Sequence, residues 1–178
     1  MENKILKRWE WVGFIFVLAL GSLSHFFYEW SGENRIIGTF SAVNESTWEH
    51  LKLLFFPMLL FTIIEYFAIG KKYPNFIFAK AIGILSGLAA IIVLFYTYTG
   101  IIGTNIMIAD ILIFVIGVAI AYIVSYRIII KGICNECKGL GIFLILLMLV
   151  CFLLFTWFAA QIGLFKDPIT GGYGFINA

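Results

Sequence analysis

Charged side chains are scarce in this chain. Of its 178 residues only 12% are Asp, Glu, Lys or Arg, whereas 62% are hydrophobic, and the mean hydropathy is +1.04. A water-soluble domain of this size needs more polar surface than such a composition supplies. The scarcity of charge therefore excludes a soluble globular protein and indicates a membrane protein.

Net charge, histidine and cysteine are also scarce, and each of these shortages excludes a class of function. The net charge is only +2 and no arginine-rich patch occurs, which excludes a nucleic-acid partner. The chain has two histidines, too few for a zinc site made of three histidines. Its three cysteines include one CxxC pair, Cys134 and Cys137, with no second pair to complete a four-cysteine site.

Long apolar runs fill most of the remaining sequence. About 20 apolar residues cross a hydrocarbon core of about 30 Å, and runs of this length recur between short polar breaks. They predict an all-α fold, a polytopic transmembrane helix bundle that forms one domain over residues 1–178. The five predicted spans are 10–30, 46–69, 76–99, 104–130 and 139–163. A sixth, shorter element at 36–45 is predicted to be re-entrant or to lie flat on the outer surface.

The distribution of basic residues predicts the orientation. Cytoplasmic loops carry an excess of Lys and Arg. Nine basic residues fall on one side and two, Arg35 and Lys166, on the other, so the N-terminus is predicted inside and the C-terminus outside. The nine are Lys4, Lys7, Arg8, Lys71, Lys72, Lys80, Arg127, Lys131 and Lys138.

Small residues at four-residue spacing predict which helix faces pack together. In a bilayer such residues let two backbones approach closely. The spacing occurs in the third span at Ala79, Gly83 and Gly87, in the fourth at Gly117, Ala121 and Ser125, and in the first at Gly13, Gly21, His25 and Glu29.

Ionisable residues converge in depth near the predicted outer surface. His25 and Glu29 lie near the end of the first span, Glu49 and His50 near the start of the second, and Asp110 about 9 Å into the fourth. Such residues are costly in a membrane and generally face a bundle interior or a cavity. The sequence therefore predicts a shared polar site. Glu65, near the inner surface, is predicted either to reach the cytoplasmic interface or to pair with Lys71 or Lys72.

The nitrogen and oxygen ligands of this site suit zinc or another divalent metal. The predicted metal ligands are His25, His50, Glu49 and Asp110. The predicted catalytic residues are Glu29, Glu49 and Asp110, of which Glu29 or Glu49 would act as general base on a metal-bound water. The predicted substrate-binding residues are Arg35, Asn44, Trp48 and Lys52, in which Arg35 or Lys52 would hold an anionic head group.

Simpler interpretations stand beside these. Ser46 and Glu49 have the spacing of a capping box at a helix start, and Glu45 complements the positive helix terminus. Histidines near a membrane surface also serve as wet, amphipathic side chains. The CxxC pair is predicted to face the cytoplasm as reduced thiols, with a redox or metal-bridging role as the alternative.

The segment "SHFFYEWSGENRIIGTFSAVNESTWEHLKLLFFP" (24–57) resembles the signature of a family of small uncharacterised integral membrane proteins of Gram-positive, clostridia-like bacteria. The resemblance implies a multi-pass protein of the bacterial inner membrane and no particular activity.

Three functions fit the predicted site. The first is a metal-dependent hydrolase or transferase that acts on a lipid-like substrate. The second is a subunit that binds or transports a small solute through the same pocket. The third is a structural partner without catalytic activity, so the sequence leaves open whether the protein is an enzyme. Membrane lipids are the predicted partners, and the oligomeric state is left open.

Overall fold

The protein is described here by a computed structural model that covers residues 2–175. Seven α-helices lie in this range: α1 (Glu2–Ser24), α2 (Phe27–Trp30), α3 (Arg35–Phe40), α4 (Thr47–Ala68), α5 (Phe76–Ile102), α6 (Met107–Ile130) and α7 (Lys138–Trp157). Two 3₁₀ turns, Gly70–Lys72 and Gly163–Phe165, and one isolated bridge between Lys166 and Tyr173 complete the regular structure of these residues. The predicted all-α class is confirmed.

Four helices of the described chain are long and apolar enough to cross a membrane: Thr47–Ala68, Phe76–Ile102, Met107–Ile130 and Lys138–Trp157. They match the last four predicted spans to within a few residues, except that α7 ends before the predicted 163. The first predicted span differs more. Helix α1 begins at Glu2, so its first three turns carry charged residues, and it ends at Ser24 instead of 30. The short element predicted at 36–45 is helix α3, which ends at Phe40.

Local signals at the helix ends explain these boundaries. Ser46 is the N-cap of α4, and its hydroxyl accepts a hydrogen bond from the Glu49 backbone N–H at 3.3 Å. Asn34 caps α3 in the same way, since its side-chain oxygen accepts from Ile36 and Ile37. Helix α5 ends at Ile102 and is capped by Gly103, which has φ +86°, a left-handed conformation that costs glycine little.

Helices α5 and α6 pack through their small residues. A Cβ added at Gly83 would come within 2.5 Å of the Ala121 carbonyl oxygen, and one at Gly87 within 2.7 Å of the Gly117 carbonyl oxygen. Only glycine permits such close backbone approach. The small-residue faces predicted on these two helices are confirmed as packing faces, and the structure shows that they pack on each other.

Helix α1 packs on α4 beside the internal proline. Pro57 has no N–H, so the carbonyl of Leu53, four residues earlier, loses its partner within the helix. Gly21 of α1 lies against this carbonyl oxygen, and a Cβ at Gly21 would overlap it. The proline on α4 and the glycine on α1 thus form one contact.

The helix ends lie at two opposite ends of the bundle. We call the end that contains Ser24, Thr47 and Met107 the histidine end, because His25 and His50 lie there, and the opposite end the lysine end, because Lys80 lies there. At the lysine end the α6–α7 loop joins Cys134 and Cys137 in a disulfide, with 5.2 Å between their Cα atoms. The prediction of two reduced thiols is therefore wrong.

Candidate metal centre

His25 lies at a break in the chain between two helices. Helix α1 ends at Ser24, whose hydroxyl donates to the Gly21 carbonyl oxygen at 2.8 Å, and α2 begins at Phe27. The break turns the His25 ring towards α4. Its Nε2 lies 3.2 Å from Nε2 of His50.

His50 lies in the first turn of α4. Its Nδ1 is 2.9 Å from the Ser46 carbonyl oxygen, an atom that can only accept a hydrogen bond. Nδ1 therefore carries a hydrogen, and in the neutral ring the lone pair is on Nε2. This is the arrangement in which a backbone carbonyl fixes the tautomer and orientation of a metal-binding histidine.

Glu45 supplies the third group of the cluster. Its Oε1 lies 3.6 Å from Nε2 of His25, and its Oε2 lies 3.4 Å from Nε2 of His50. The segment that carries it is held by its neighbour Asn44, which accepts from the Ser46 N–H at 2.9 Å and donates to the Gly174 carbonyl oxygen at 3.1 Å. The carboxylate is therefore held facing both rings.

The spacing of these three groups fits a tetrahedral metal. Ligand atoms on a tetrahedron with zinc bonds of about 2.0–2.1 Å lie about 3.3–3.4 Å apart. In the cluster the two Nε2 atoms lie 3.2 Å apart, and Glu45 lies 3.4 Å from His50 through Oε2 and 3.6 Å from His25 through Oε1. The two rings therefore meet different oxygens of one carboxylate, and one ligand atom from each residue lies within 4.8 Å of the other two. Two imidazole nitrogens and one carboxylate oxygen also form the ligand set of catalytic zinc sites, which leave the fourth position for water or substrate.

Hydrogen bonds from His25, and next from His50, hold the pKa of the Glu45 carboxyl well below its usual range. Glu45 is therefore ionised at neutral pH although it is partly buried. His50 donates to Glu45 through Nε2 only when both ring nitrogens carry a hydrogen, so this bond belongs to the metal-free imidazolium form. An ionised carboxylate is the form that binds a metal.

Two cavities meet at Glu45. The larger, about 370 Å³, also touches His50 and is closed by residues of α4, α5, α6 and the C-terminal segment. Its walls are mixed, with polar groups at Thr47, Asn105 and Asp110 and apolar side chains such as Phe95 and Ile113. The smaller, about 310 Å³, is lined by His25, Glu29 and Asn44. The cluster thus lies between two spaces that ligands could occupy.

Asp110 faces the larger cavity from α6. Its carboxylate accepts hydrogen bonds from the Tyr98 hydroxyl and, at 3.2 Å, from the Asn105 side chain. The Tyr98 hydroxyl in turn accepts from the Ile106 N–H at 3.0 Å. Asp110 therefore shares a cavity wall with His50 and Glu45, but its hydrogen bonds go to other residues than the histidines.

Glu49 and Lys52 do not lie in the predicted polar site beside the histidines. Both are fully buried, and Lys52 Nζ lies 2.5 Å from Glu49 Oε2. Lys52 also donates to the Gly38 carbonyl oxygen at 2.8 Å and to the Thr156 hydroxyl at 3.2 Å, which uses its three hydrogens. Glu49 accepts from the Val43 N–H at 3.1 Å, so its carboxylate does not close the expected capping box. This pair binds α3 and the 41–46 segment to α7.

The other predicted substrate-binding residues are dispersed. Trp48 packs on α7 and the C-terminal segment, with ring centroids 4.7 Å from Phe152 and 4.8 Å from Phe165. Arg35 is exposed and lies 6.0 Å from the centroid of the Phe175 ring. Asn44 and Glu29 line the smaller cavity.

Sequence reasoning missed two features. Glu45, predicted to complement the start of α4 and left out of the predicted ligands, is the carboxylate that faces both histidines. Its closeness in sequence to Glu49 and His50 was the available signal. Glu65 pairs with Lys80 at 2.7 Å, not with Lys71 or Lys72. Lys80 itself, counted above among the loop cations, is fully buried in α5.

A family model matches residues 1–175 of the chain. The chain belongs to the family of unknown function DUF6512. No curated protein and no solved structure matches this DUF6512 chain. The predicted membership of an uncharacterised family is confirmed, and the activity has to be inferred from the site.

Proposed function

We propose that this protein is a metal-dependent integral membrane protein in which His25, Glu45 and His50 bind one divalent metal ion, with zinc as the best fit. The proposal rests on one observation: His25, Glu45 and His50 each offer a ligand atom within 4.8 Å of the other two, and a backbone carbonyl orients one of the rings. Glu45 replaces Glu49 and Asp110 as the carboxylate ligand in this proposal.

The proposed activity is hydrolysis or group transfer on a lipid-like substrate. A metal with three protein ligands can lower the pKa of a bound water and make it a nucleophile. The larger cavity is lined by both polar groups and apolar side chains, as an amphiphilic substrate requires. Asp110, oriented by Tyr98 and Asn105, is the proposed general base.

The proposed location is the bacterial cell membrane, with α1 as a fifth span and the histidine end outside. The basic loop residues support this orientation. With Lys80 removed from the loops because it is buried, eight basic residues remain at the lysine end against Arg35 and Lys166 at the other. The prediction from the rule is therefore unchanged.

The position of Glu45 between two cavities favours a second function. A metal or small solute bound there could pass from the space beside His50 to the space beside His25. Transport of this kind uses the same ligands and differs from hydrolysis in needing no role for Asp110.

Metal analysis of the purified full-length protein tests the proposal. We expect about one zinc, iron or manganese ion per chain in the wild type, and a loss to trace levels in the His25→Ala, His50→Ala double variant. Glu29→Gln is the matched control, since it changes a carboxylate beside the cluster but outside it, and should retain the metal. Equal trace levels in the wild type and the double variant would contradict the proposal.

Asp110→Asn separates the two functions. We expect this variant to retain the metal and to lose hydrolysis of phospholipid esters presented in mixed micelles. If instead it takes up zinc into phospholipid vesicles as the wild type does, and no ester is cleaved by either protein, transport is the function.

A further inference from the structure

The lysine end contains a second buried group of ionisable residues. Lys80 of α5 lies 2.9 Å from the Glu10 carboxylate of α1 and 2.7 Å from the Glu65 carboxylate of α4. Lys80 and Glu65 are fully buried, and Glu10 is 5% exposed. We call these three residues the triad. It shares no residue with the candidate metal centre.

The triad carries more acid than base. Two carboxylates face one ammonium group, so with all three ionised the net charge is −1. Ser125 and Tyr122 of α6, which contact the triad, are neutral. Lys7 lines the same cavity as Glu10, but its side chain is exposed and forms no ion pair with Glu10 among the described residues. An uncompensated charge in an apolar interior is expensive, and a bound proton removes it without any new cation.

Unpartnered oxygens give independent support. Ser125 donates to Glu10 Oε2 at 3.2 Å, but the buried Glu65 Oε1 has no hydrogen-bond partner among the described residues. The hydroxyl of Tyr122, a residue 4% exposed, also has none in this part of the chain. The Tyr122 ring centroid lies 4.9 Å from Lys80 Nζ, which places this side chain against the triad. Buried oxygens of this kind normally have hydrogen-bond partners. An oxygen without a partner therefore marks a place where a hydrogen can be added.

A cavity lies beside Glu10 of the triad. A space of about 250 Å³ lies between α1 and α6, lined by Lys7, Glu10, Trp11, Ala119 and Tyr122 among others. Glu10 thus faces Lys80 on one side and this cavity on the other. We propose that the triad is a proton-binding site that holds one proton per chain at neutral pH and exchanges it through the α1–α6 cavity.

Infrared spectroscopy of the full-length protein in lipid vesicles tests the proposal directly. A protonated carboxyl absorbs apart from carboxylate and from the amide bands. We expect the wild type to show one protonated carboxyl per chain at pH 7, and both Glu65→Gln and Glu10→Gln to lose it, because either variant leaves one carboxylate balanced by Lys80. Glu49→Gln is the matched control and should retain the band, since Glu49 is already balanced by Lys52.

Exchange into D₂O tests the route. The deuterium shift of the band should slow in Ala119→Phe, which fills the cavity, and not in Ile116→Phe, which adds a ring to the exposed face of the same helix. No band in the wild type, or a band that survives in both Glu65→Gln and Glu10→Gln, would overturn the site. A band that disappears when choline is replaced by sodium would show a metal cation there in place of a proton. Equal exchange in all three proteins would overturn the route.

Discussion

Each end of the bundle buries a lysine against carboxylates, and the proportions differ. At the histidine end one lysine, Lys52, faces one carboxylate, and a carbonyl and a hydroxyl take its remaining hydrogens. At the lysine end Lys80 faces two carboxylates, and one carboxylate oxygen has no partner in the described structure. The Glu49–Lys52 pair has balanced charges and all its hydrogen bonds, so it stabilises the fold. The triad has one carboxylate in excess and an oxygen without a partner, so it can bind a proton. Counting charges and hydrogen bonds therefore distinguishes a structural ion pair, Glu49–Lys52, from a candidate binding site, the triad.

Removing each lysine tests this difference, and we expect the largest effect for Lys80→Met. The variant breaks two buried contacts, to Glu10 and Glu65, whereas Lys52→Met breaks one, to Glu49. Breaking a buried pair from one side costs about 3–5 kcal/mol, and the loss of two contacts costs more than the loss of one. The thermal denaturation midpoint in a mild detergent should therefore fall further in Lys80→Met than in Lys52→Met.

The neutral variants of the triad provide the control. Adding Glu10→Gln and Glu65→Gln to Lys80→Met removes both unpaired acids, so we expect part of the lost stability to return. If the triple variant is no more stable than Lys80→Met, charge is not the cause of the loss, and the comparison between the two ends fails.

The same substitution at the two carboxylates sharpens the comparison. Glu49→Gln leaves Lys52 as an unpaired buried cation and should lower stability by about 3 kcal/mol or more. Glu65→Gln leaves Lys80 balanced by Glu10, so its cost should stay within about 1 kcal/mol. Both changes keep the size of the side chain. Midpoints measured side by side in one detergent check the order, and equal losses would mean that the triad holds no excess charge.

The sequence predicted the helices well because apolar length and small-residue spacing are local signals. The α4–α7 spans and the α5–α6 face defined by Gly83, Gly87 and Gly117 follow from them. The Ser46 cap of α4 was predicted for the same reason. The start of α1 at Glu2 was not predicted, because helix formation does not require an apolar sequence. Lys4 and Lys7 are good helix formers.

The polar partners could not be predicted, since they depend on how helices pack in three dimensions. Depth alone grouped Glu49 and Asp110 with the histidines, whereas Glu49 faces Lys52 and Asp110 faces Tyr98. Lys80 looked like a loop cation because it follows "GKKYPN" closely, yet it lies inside α5. Where a side chain faces within a given depth depends on the rotation of its helix, and no short motif encodes that rotation.

The smallest expected effects concern the hydroxyls that complete each cluster. Thr156 accepts from Lys52 and lies 3.3 Å from Glu49 Oε1, so Thr156→Val leaves both ions one contact short. Ser125→Ala removes a single donor to Glu10. A buried hydrogen bond to a charged group contributes about 1.5–3 kcal/mol, and we expect Thr156→Val to lie near the top of this range and Ser125→Ala near or below the bottom.

Thr156→Val is expected to cost more than Ser125→Ala because the carboxylates they contact differ in their protonation. If one triad carboxyl holds a proton, the loss of a donor to Glu10 is partly replaced by moving that proton to Glu10, a change that is not open to the saturated Glu49–Lys52 pair. Melting the two variants beside the wild type checks the order of the losses. A larger loss in Ser125→Ala than in Thr156→Val would argue against a mobile proton in the triad, because it would show that Glu10 depends on a fixed donor as strictly as Glu49 does.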